Sequence, residues 1–265
     1  MPLVSRETHP DVATRRQKRL CIVGPPNSRK TTSIKTAYGP VAVISCPGEN
    51  GAAAIPVQTV TGEPVKAWVW DEPDPAKPAT AGETWRELKQ VTAEILAGKH
   101  GEFRTLVLDG AHKVYHTLGK IAKQEFVTKS GAYDGRQGWP WQHDEFFAYL
   151  QSAIVSPMEY VWITCWDQLE KDDPFAKDSN DAPAPRHIQP DLPGRACNLV
   201  KGEMSLVYAS QQGAGKTAEY FWLTSPLGMV WAAGLKLPQA VAEKIPLRIP
   251  QDWRVLEKYM EDTHA

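Results

Sequence analysis

An α/β fold with a mainly parallel sheet flanked by helices is the architecture that this sequence predicts, and three observations lead to it. Short apolar runs alternate with longer amphipathic segments, a pattern typical of parallel strands joined by crossover helices. Two alternating segments joined by a glycine-rich link, 205–224, predict an antiparallel hairpin at the C-terminal edge. With 265 residues, 42% of them hydrophobic, the chain can bury one sizeable core.

The first predicted elements are two strands with a short helix between them. Residues 1–18 are polar and basic near their end, which predicts a flexible arm before the core. The apolar runs RLCIVG and PVAVISC have the length and composition of buried strands. Between them, TTSIKTAYG predicts a short helix that its glycine and the following proline end.

The next predicted elements lead to a fourth strand. VKAWVW predicts the third strand, and DEPDPAKPATAG predicts a proline-rich surface loop. FRTLVLDG is an apolar run that ends in an acidic residue and predicts the fourth strand. The helix before it, TWRELKQVTAEILAGK, places five apolar side chains on one face: Trp85, Leu88, Val91, Ile95 and Leu96.

The second half of the chain continues the alternation. Helices are predicted at 111–127, HDEFFAYLQSAIV and GRACNLV, strands at EYVWITCW and GMVWAAG, and a tail helix near PQDWRVLEKYM. The segment 128–142 is too glycine-rich and too long for a simple connection, and 167–191 is a long polar loop. Loops of such length are typically functional or disordered. We therefore expect a core domain at 19–249 and a C-terminal helix or tail at 250–265.

The segment GPPNSRKTT at 24–32 is similar to the phosphate-loop motif GxxxxGK[ST]. Gly24, Lys30 and Thr31 meet its requirements. In such loops the backbone N–H groups face the phosphates, the lysine neutralises their charge, and the hydroxyl binds Mg²⁺. The predicted nucleotide-binding residues are Gly24, Pro25, Pro26, Asn27, Ser28, Arg29, Lys30, Thr31 and Thr32.

Two positions of this loop that are often glycine carry other residues. Asn27 tolerates left-handed backbone better than most residues, whereas Arg29 in that conformation costs about 1–2 kcal/mol. The Arg29 side chain must either leave the loop or lie across the phosphate site. We predict that it points outward and that the loop binds nucleotide weakly. A degenerate loop kept as a scaffold is the alternative.

A second Gly-Lys-Thr, at 215–217, matches the last three positions of the same motif. Its first position is Ser210 rather than glycine, and β-forming segments lie on both sides. We therefore interpret it as a hairpin turn. Lys216 at its tip is suited to reach the γ-phosphate of a neighbouring subunit, and a solvated turn lysine is the alternative.

Asp109, at the end of the fourth strand, occupies the position of a Walker B carboxylate. Together with Thr31 it forms the predicted Mg²⁺ site, and a helix N-cap is the alternative role for it. The residue that follows is Gly110. The adjacent catalytic glutamate of many such enzymes is therefore absent, and another carboxylate must act as the base.

Glu49, in the turn after the second strand, is the candidate for orienting the attacking water. A solvated turn residue is the alternative. Trp166, Asp167 and Gln168 follow a buried strand and are candidates to sense the γ-phosphate. The predicted catalytic residues are Glu49, Lys30 and Gln168.

Basic and aromatic residues interleave between 129 and 141, the pattern with which proteins bind single-stranded nucleic acid. The candidate DNA contacts are Lys129, Arg136, Trp139 and Trp141. Because the chain holds 10 tryptophans, packing in the core is an equally good explanation for Trp139 and Trp141.

Charge and cysteine content exclude several classes of protein. The net charge is −1, so no global field attracts nucleic acid or anionic membrane. The four cysteines Cys21, Cys46, Cys165 and Cys197 lack metal-ligand spacing and indicate reduced thiols. No run reaches the length of a membrane span. We expect a cytoplasmic protein with no membrane partner.

The order of these motifs resembles the RecA-core (AAA-type) P-loop ATPases that bacteriophages encode. The similar segments include GPPNSRKTT, TLVLDG, VWITCWDQLEKDD and QPDLPGRA. The turn SCPGENG is looser than the family's turn, and Trp166 stands where the family often has histidine. The resemblance therefore supports the fold more strongly than hydrolysis.

The resemblance implies a RecA-like P-loop NTPase that binds ATP and Mg²⁺ in the cytoplasm of a host bacterium. It implies DNA recombination or single-strand annealing, with weak or DNA-stimulated hydrolysis. The implied partners are single-stranded DNA, a single-strand-binding protein, and further copies of the chain in a ring or filament. The alternative is a scaffold without ATPase activity that recruits the single-strand-binding partner.

Overall fold

The computed structural model describes residues 18–49, 52–74, 76–77, 79–169, 188–213, 218–225, 233–237 and 242–261. Within them the strands are β1 Arg19–Val23, β2 Val41–Ser45, β3 Val65–Val69, β4 Thr105–Asp109, β5 Tyr160–Cys165, β6 Asp167–Leu169, β7 Ile188–Pro190, β8 Ser205–Gln212, β9 Glu219–Leu223 and β10 Arg248–Pro250. The α-helices are α1 Ala79–Leu96, α2 Ala111–Glu125, α3 Gly135–Ile154, α4 Gly194–Glu203 and α5 Trp253–Glu261. Two 3₁₀ helices span Thr32–Thr36 and Ala52–Ala54.

One eight-stranded sheet has the order β3-β2-β4-β5-β1-β8-β9-β10. Its neighbours are parallel from β3 to β8, and β9 and β10 add an antiparallel edge. The predicted parallel sheet with a C-terminal hairpin is thereby confirmed. Because β5 lies between β1 and β4, the ends of these three strands meet at one edge of the sheet.

Helices and the C-terminal segment cover both faces of the sheet. Along β1, Cys21 and Val23 contact the core beneath α1 to α4, while Leu20 and Ile22 face the opposite core. This alternation follows from the two-residue period of a strand. The second core includes Trp253 and Leu256 of α5, so the predicted tail helix packs against the sheet.

The predicted helix after the phosphate loop is only a five-residue 3₁₀ segment. The Ser33 hydroxyl donates to the Lys30 carbonyl (2.6 Å) and the Thr36 hydroxyl to the Ser33 carbonyl (2.8 Å). Such local bonds compete with regular α-helical geometry. A long helix dipole therefore does not support this loop.

The segment 129–141 is not the continuous loop that the sequence predicted. Residues 127 and 133 pair in an isolated bridge, and α3 begins at Gly135. The Asp134 side chain accepts a hydrogen bond from the Arg136 N–H and so caps the helix. The interleaved basic and aromatic residues after 135 therefore lie on a helix.

Candidate nucleotide site

The carboxyl ends of the parallel strands surround a cavity of about 420 Å³. The phosphate-loop residues from Pro26 to Thr32 form one wall. The remaining lining residues are Gly48, Glu49, Ala54, Asp109, His112, Lys113, Thr164, Trp166 and Tyr220. Parallel topology therefore brings together most of the residues that the sequence analysis selected, and a carboxyl-end crevice is where α/β proteins bind ligands.

The loop backbone adopts the conformations that its missing glycines would favour. Asn27 has φ 64° and Arg29 has φ 62°, so both are left-handed. Gly24 remains essential for a different reason, because a Cβ there would stand 2.5 Å from the Ala209 carbonyl oxygen of β8. Two residues with side chains in left-handed conformation thus place the loop under backbone strain.

The Arg29 side chain stacks on an aromatic ring of the C-terminal hairpin. Its guanidinium carbon lies 3.9 Å from the ring centroid of Tyr220 on β9. A guanidinium over an aromatic face is a favourable contact of about 0.5–1 kcal/mol at an exposed site. The left-handed backbone and this stack direct Arg29 toward the hairpin.

Lys30 is buried within the loop, with 8% of its surface exposed. Its Nζ donates to the carbonyls of Gly24 (2.8 Å) and Pro25 (2.7 Å). Burial lowers the pKa of Lys30, and nearby acidic groups such as Glu49 oppose that effect. The ammonium group thus lies inside the curve of the loop, bonded to the loop's own carbonyls.

Thr31, Asp109 and Thr164 form a hydrogen-bonded group at the floor of the cavity. The Thr31 hydroxyl donates to Asp109 Oδ2 (2.9 Å) and the Thr164 hydroxyl to Oδ1 (2.6 Å). Burial raises the pKa of Asp109, and these two hydrogen bonds oppose the rise. The N-cap of α2 is Gly110, so the alternative of Asp109 as N-cap is wrong.

Glu49 lies over Gly110, in the space that a side chain at position 110 would occupy. A Cβ on Gly110 would overlap Cγ of Glu49 and stand 2.6 Å from its Cδ. Gly110 also has φ 80°, which favours glycine. A glutamate after Asp109 and the observed placement of Glu49 are therefore sterically incompatible.

The Glu49 carboxylate is largely buried, with 14% of its side chain exposed. Burial raises the pKa of Glu49 and the Asp109 charge adds to the rise, while Lys113 and Lys30 oppose it. The alternative of a solvated turn residue does not fit this burial. A carboxylate whose pKa is raised toward neutrality is suited to accept a proton.

The three residues after β5 have different positions. Trp166 lines the cavity. Asp167 accepts a hydrogen bond from the Tyr208 hydroxyl (2.7 Å). Gln168 Nε2 donates to the carbonyls of Pro190 (3.1 Å) and Leu192 (3.4 Å), beside the antiparallel pair β6–β7. The role of Gln168 in sensing the γ-phosphate stays a prediction.

The four predicted DNA contacts do not share one face. Trp139 is 61% exposed, and Lys129 and Arg136 are also exposed. Trp141 packs instead against Phe126, with ring centroids 5.5 Å apart, and borders the main core. Arg136 and Trp139 are three residues apart on α3 and project to the same side.

Sequence reasoning missed several residues that line the cavity, among them His112, Thr164 and Tyr220. The sequence could have indicated two of them. Thr164 carries a hydroxyl within an apolar strand, and His112 follows three residues after Asp109. No sequence pattern indicated Tyr220, because only the pairing of β8 with β9 brings it beside Arg29.

Several predicted features lie outside the described residues: the arm before residue 18, the acidic loop 170–187, the segment 226–232 and Lys216. Within the described part of the chain, no helix is long and apolar enough to cross a membrane. The same residues contain no group of three or more His, Cys, Asp or Glu that could hold a metal ion.

Comparison with known proteins gives one family match. A family model described as an AAA domain matches residues 16–228. A search of curated proteins gave no match.

Two solved structures show a distant likeness to the chain. A prototypical ATPase from the type III secretion system of pathogenic bacteria is 14% identical with a TM-score of 0.41, and the alignment covers 75% of this chain and 56% of that one. The flagellar accessory protein FlaH from Methanocaldococcus jannaschii is 9% identical with a TM-score of 0.36, and the alignment covers 78% of this chain and 76% of that one. This chain thus spans little more than half the length of the secretion ATPase.

Proposed function

We propose that this protein, which belongs to the AAA-domain family, binds ATP with Mg²⁺ in the 420 Å³ cavity and hydrolyses it weakly. Its fold is that of a RecA-like P-loop NTPase. The observation that carries the proposal is the contact between Thr31 and Asp109 beside the buried ammonium of Lys30. This juxtaposition supplies a phosphate contact and a cation site in one cavity.

The residues at the floor of the cavity fit Mg²⁺. The Thr31 hydroxyl and the Asp109 carboxylate are 2.9 Å apart, and both are oxygen donors of the kind that Mg²⁺ prefers. Thr164 orients the carboxylate through its own hydrogen bond. Bound Mg²⁺ would neutralise charge on the phosphate oxygens.

Glu49 and Lys30 have complementary roles in the proposed hydrolysis. Glu49 orients the attacking water and accepts its proton, for which its raised pKa is suited. Lys30 exchanges its bonds to the loop carbonyls for bonds to phosphate oxygens. Arg29 stacks on Tyr220 at the wall of the cavity, and we propose that the phosphates bind beside this stack.

The first experiment measures binding of labelled ATP and ADP with Mg²⁺, together with ATP turnover. We expect the wild type to bind, Lys30→Ala to lose binding, and Arg29→Gly to bind more tightly with faster turnover. Lys35→Ala is the matched control, because Lys35 is an exposed lysine on the neighbouring 3₁₀ helix. If the wild type binds nothing at millimolar nucleotide and Arg29→Gly restores nothing, the scaffold alternative replaces this proposal.

We also propose that the protein acts on single-stranded DNA, in recombination or strand annealing. Support comes from Arg136 and the exposed Trp139 at the start of α3. Trp139 lines a second cavity of about 620 Å³ together with His116, His143 and Lys201. A cation and aromatic faces around one cavity suit stacked bases and their phosphates.

The second experiment tests this DNA surface. Replacing Arg136 and Trp139 together by alanine should weaken single-strand binding and reduce its dependence on salt. Arg86→Ala, at an exposed arginine of α1, is the control. Unchanged binding in the double variant, with its circular dichroism intact, would refute the proposed surface.

Three further elements belong to the same proposal. We expect a bacteriophage origin with action in the host cytoplasm, assembly into a ring or filament, and a single-strand-binding partner protein. Sedimentation of the protein with and without ATP and single-stranded DNA tests the assembly. Nothing in the described residues favours the alternative of a scaffold without nucleotide.

A further inference from the structure

We propose that His112 is a positioning residue that fixes the Glu49 carboxylate for attack by water. The inference rests on the proposed ATP hydrolysis and adds a residue to its machinery. His112 is the second residue of α2, so the strand that ends in Asp109 also places this imidazole at the cavity wall.

The hydrogen bonding of the ring determines which nitrogen carries the proton. The backbone N–H of Trp166 points at His112 Nδ1 (3.4 Å), which makes Nδ1 the acceptor and Nε2 the N–H donor. Nε2 in turn lies 3.5 Å from Glu49 Oε1. In the part of the chain that the structure describes, neither of these two buried atoms has a hydrogen-bond partner within normal distance.

These two unsatisfied atoms face each other, and a small movement would join them. A buried polar atom without a partner is unfavourable, so closing the 3.5 Å gap is favourable. Catalytic hydrogen bonds are often long before substrate binds and shorten in the reacting complex. The imidazole N–H therefore holds one oxygen of Glu49 and leaves the other for water.

The imidazole can do this without adding a positive charge. His112 is 1% exposed, and burial lowers its pKa to about 3, an effect that the nearby Lys113 and His116 increase. A neutral donor orients Glu49 yet does not lower the basicity of the carboxylate as an imidazolium would.

Packing fixes the ring on its other sides. The Trp166 ring lies against His112 with centroids 4.7 Å apart, and Lys113 Nζ stands 4.3 Å from the centroid of the Trp166 ring. Gly110 leaves the space that the Glu49 side chain fills. The Glu49 side chain thus lies between the His112 imidazole and the space that Gly110 leaves open.

The kinetic test compares replacements that keep or remove the donor at the ε position. His112→Phe keeps the ring volume without a donor and should lower kcat by about 10²-fold, with the Kd for ATP within about twofold. His112→Gln keeps an N–H at similar reach and should recover most of the lost kcat. Equal kcat in both variants, or a change confined to Kd, would overturn the proposal.

A second measurement is independent of turnover. Nitrogen-15 NMR of the wild type should show His112 neutral, with its proton on Nε2, and Glu49→Gln should shift that resonance. Glu63→Gln is the control, because Glu63 bonds to Thr59 and Thr61 away from the cavity. A proton on Nδ1, or no response to Glu49→Gln, would refute the contact even if His112→Phe failed to fold.

The two measurements separate this inference from the proposed function. If the wild type does not hydrolyse ATP, the proposed function fails, while the NMR result still decides whether His112 contacts Glu49. If the wild type hydrolyses ATP and His112→Phe matches it, only the positioning role fails.

Discussion

Charged side chains lie at both the amino and the carboxyl ends of the parallel strands, but the pKa values of the acidic residues shift in opposite directions at the two ends. At the amino end, Arg104 and Lys18 bind Glu159, and the Arg104 hydrogen bond lowers the pKa of Glu159 to about 2. At the carboxyl end, burial raises the pKa of both Glu49 and Asp109. The amino end therefore stabilises a charged carboxylate, whereas the carboxyl end disfavours one.

Hydrogen bonding follows the same division. At the amino end the buried Arg19 donates to four backbone carbonyls, those of Ile154, Ser156, Met158 and Glu159. At the carboxyl end, Glu49 Oε1 and His112 Nε2 lie at 3.5 Å, beyond normal hydrogen-bond distance. A satisfied cluster is typical of a structural role, whereas disfavoured charges in a cavity are typical of functional sites. Four variants and two controls test this comparison.

The largest effect should come from the structural cluster at the amino end. Arg19→Met should lower the free energy of unfolding by about 3 kcal/mol, because it leaves buried carbonyls without a donor. Nucleotide binding per folded molecule should not change. Arg195→Met is the control, since Arg195 forms an exposed ion pair with Asp144 and should cost less than about 1 kcal/mol. Denaturant unfolding measures both variants, and equal losses would contradict the comparison.

An intermediate effect should come from the steric contact at the carboxyl end. Gly110→Ala should cost about 2 kcal/mol and reduce ATP turnover, because the new Cβ displaces Glu49. Gly98→Ala is the matched control, because Gly98 has φ 73° where Gly110 has φ 80°. A Cβ at position 98 would meet no atom within 4 Å. This substitution should cost about 1 kcal/mol and leave turnover unchanged. Loss of turnover in both variants would mean that strain, not the contact with Glu49, is responsible.

The smallest effects should have opposite signs at the two ends. Glu49→Gln removes a charge that burial disfavours, and should raise the free energy of unfolding by about 1 kcal/mol near neutral pH while turnover falls. Glu159→Gln removes a paired charge and should lower the free energy of unfolding by less than about 1 kcal/mol, since the Glu159 side chain is 35% exposed. The same sign for both variants would remove the distinction between the two ends.

The pH dependence of these two variants follows from the pKa shifts. The folded-state pKa of Glu159 lies below its usual 4.5, so its stabilisation is present above pH 4.5 and is lost as the pH falls toward 2. The folded-state pKa of Glu49 lies above 4.5, so its destabilisation appears only as the pH rises through that value. Both variants should therefore approach the wild type in acid, from opposite sides.

The sequence by itself determined the sheet, the phosphate loop and the strand that ends in Asp109. Local signals suffice there, because strands buried on both faces are continuous apolar runs and because the loop motif is contiguous. The same local reasoning identified Arg29 as the residue under backbone strain. It failed for the segment 129–141, where the cap at Asp134 starts a helix, and it did not predict that Gln168 bonds to the carbonyls of Pro190 and Leu192.

Only the tertiary structure decided which side chains meet at the cavity. Glu49 and Gly110 are 61 positions apart, and their fit depends on the registry of β2 beside β4, which pairs Ser45 with Asp109. Arg29 meets Tyr220 only because β9 folds back along β8. Such contacts are set by strand order and packing between distant segments, and no local pattern of residues records them.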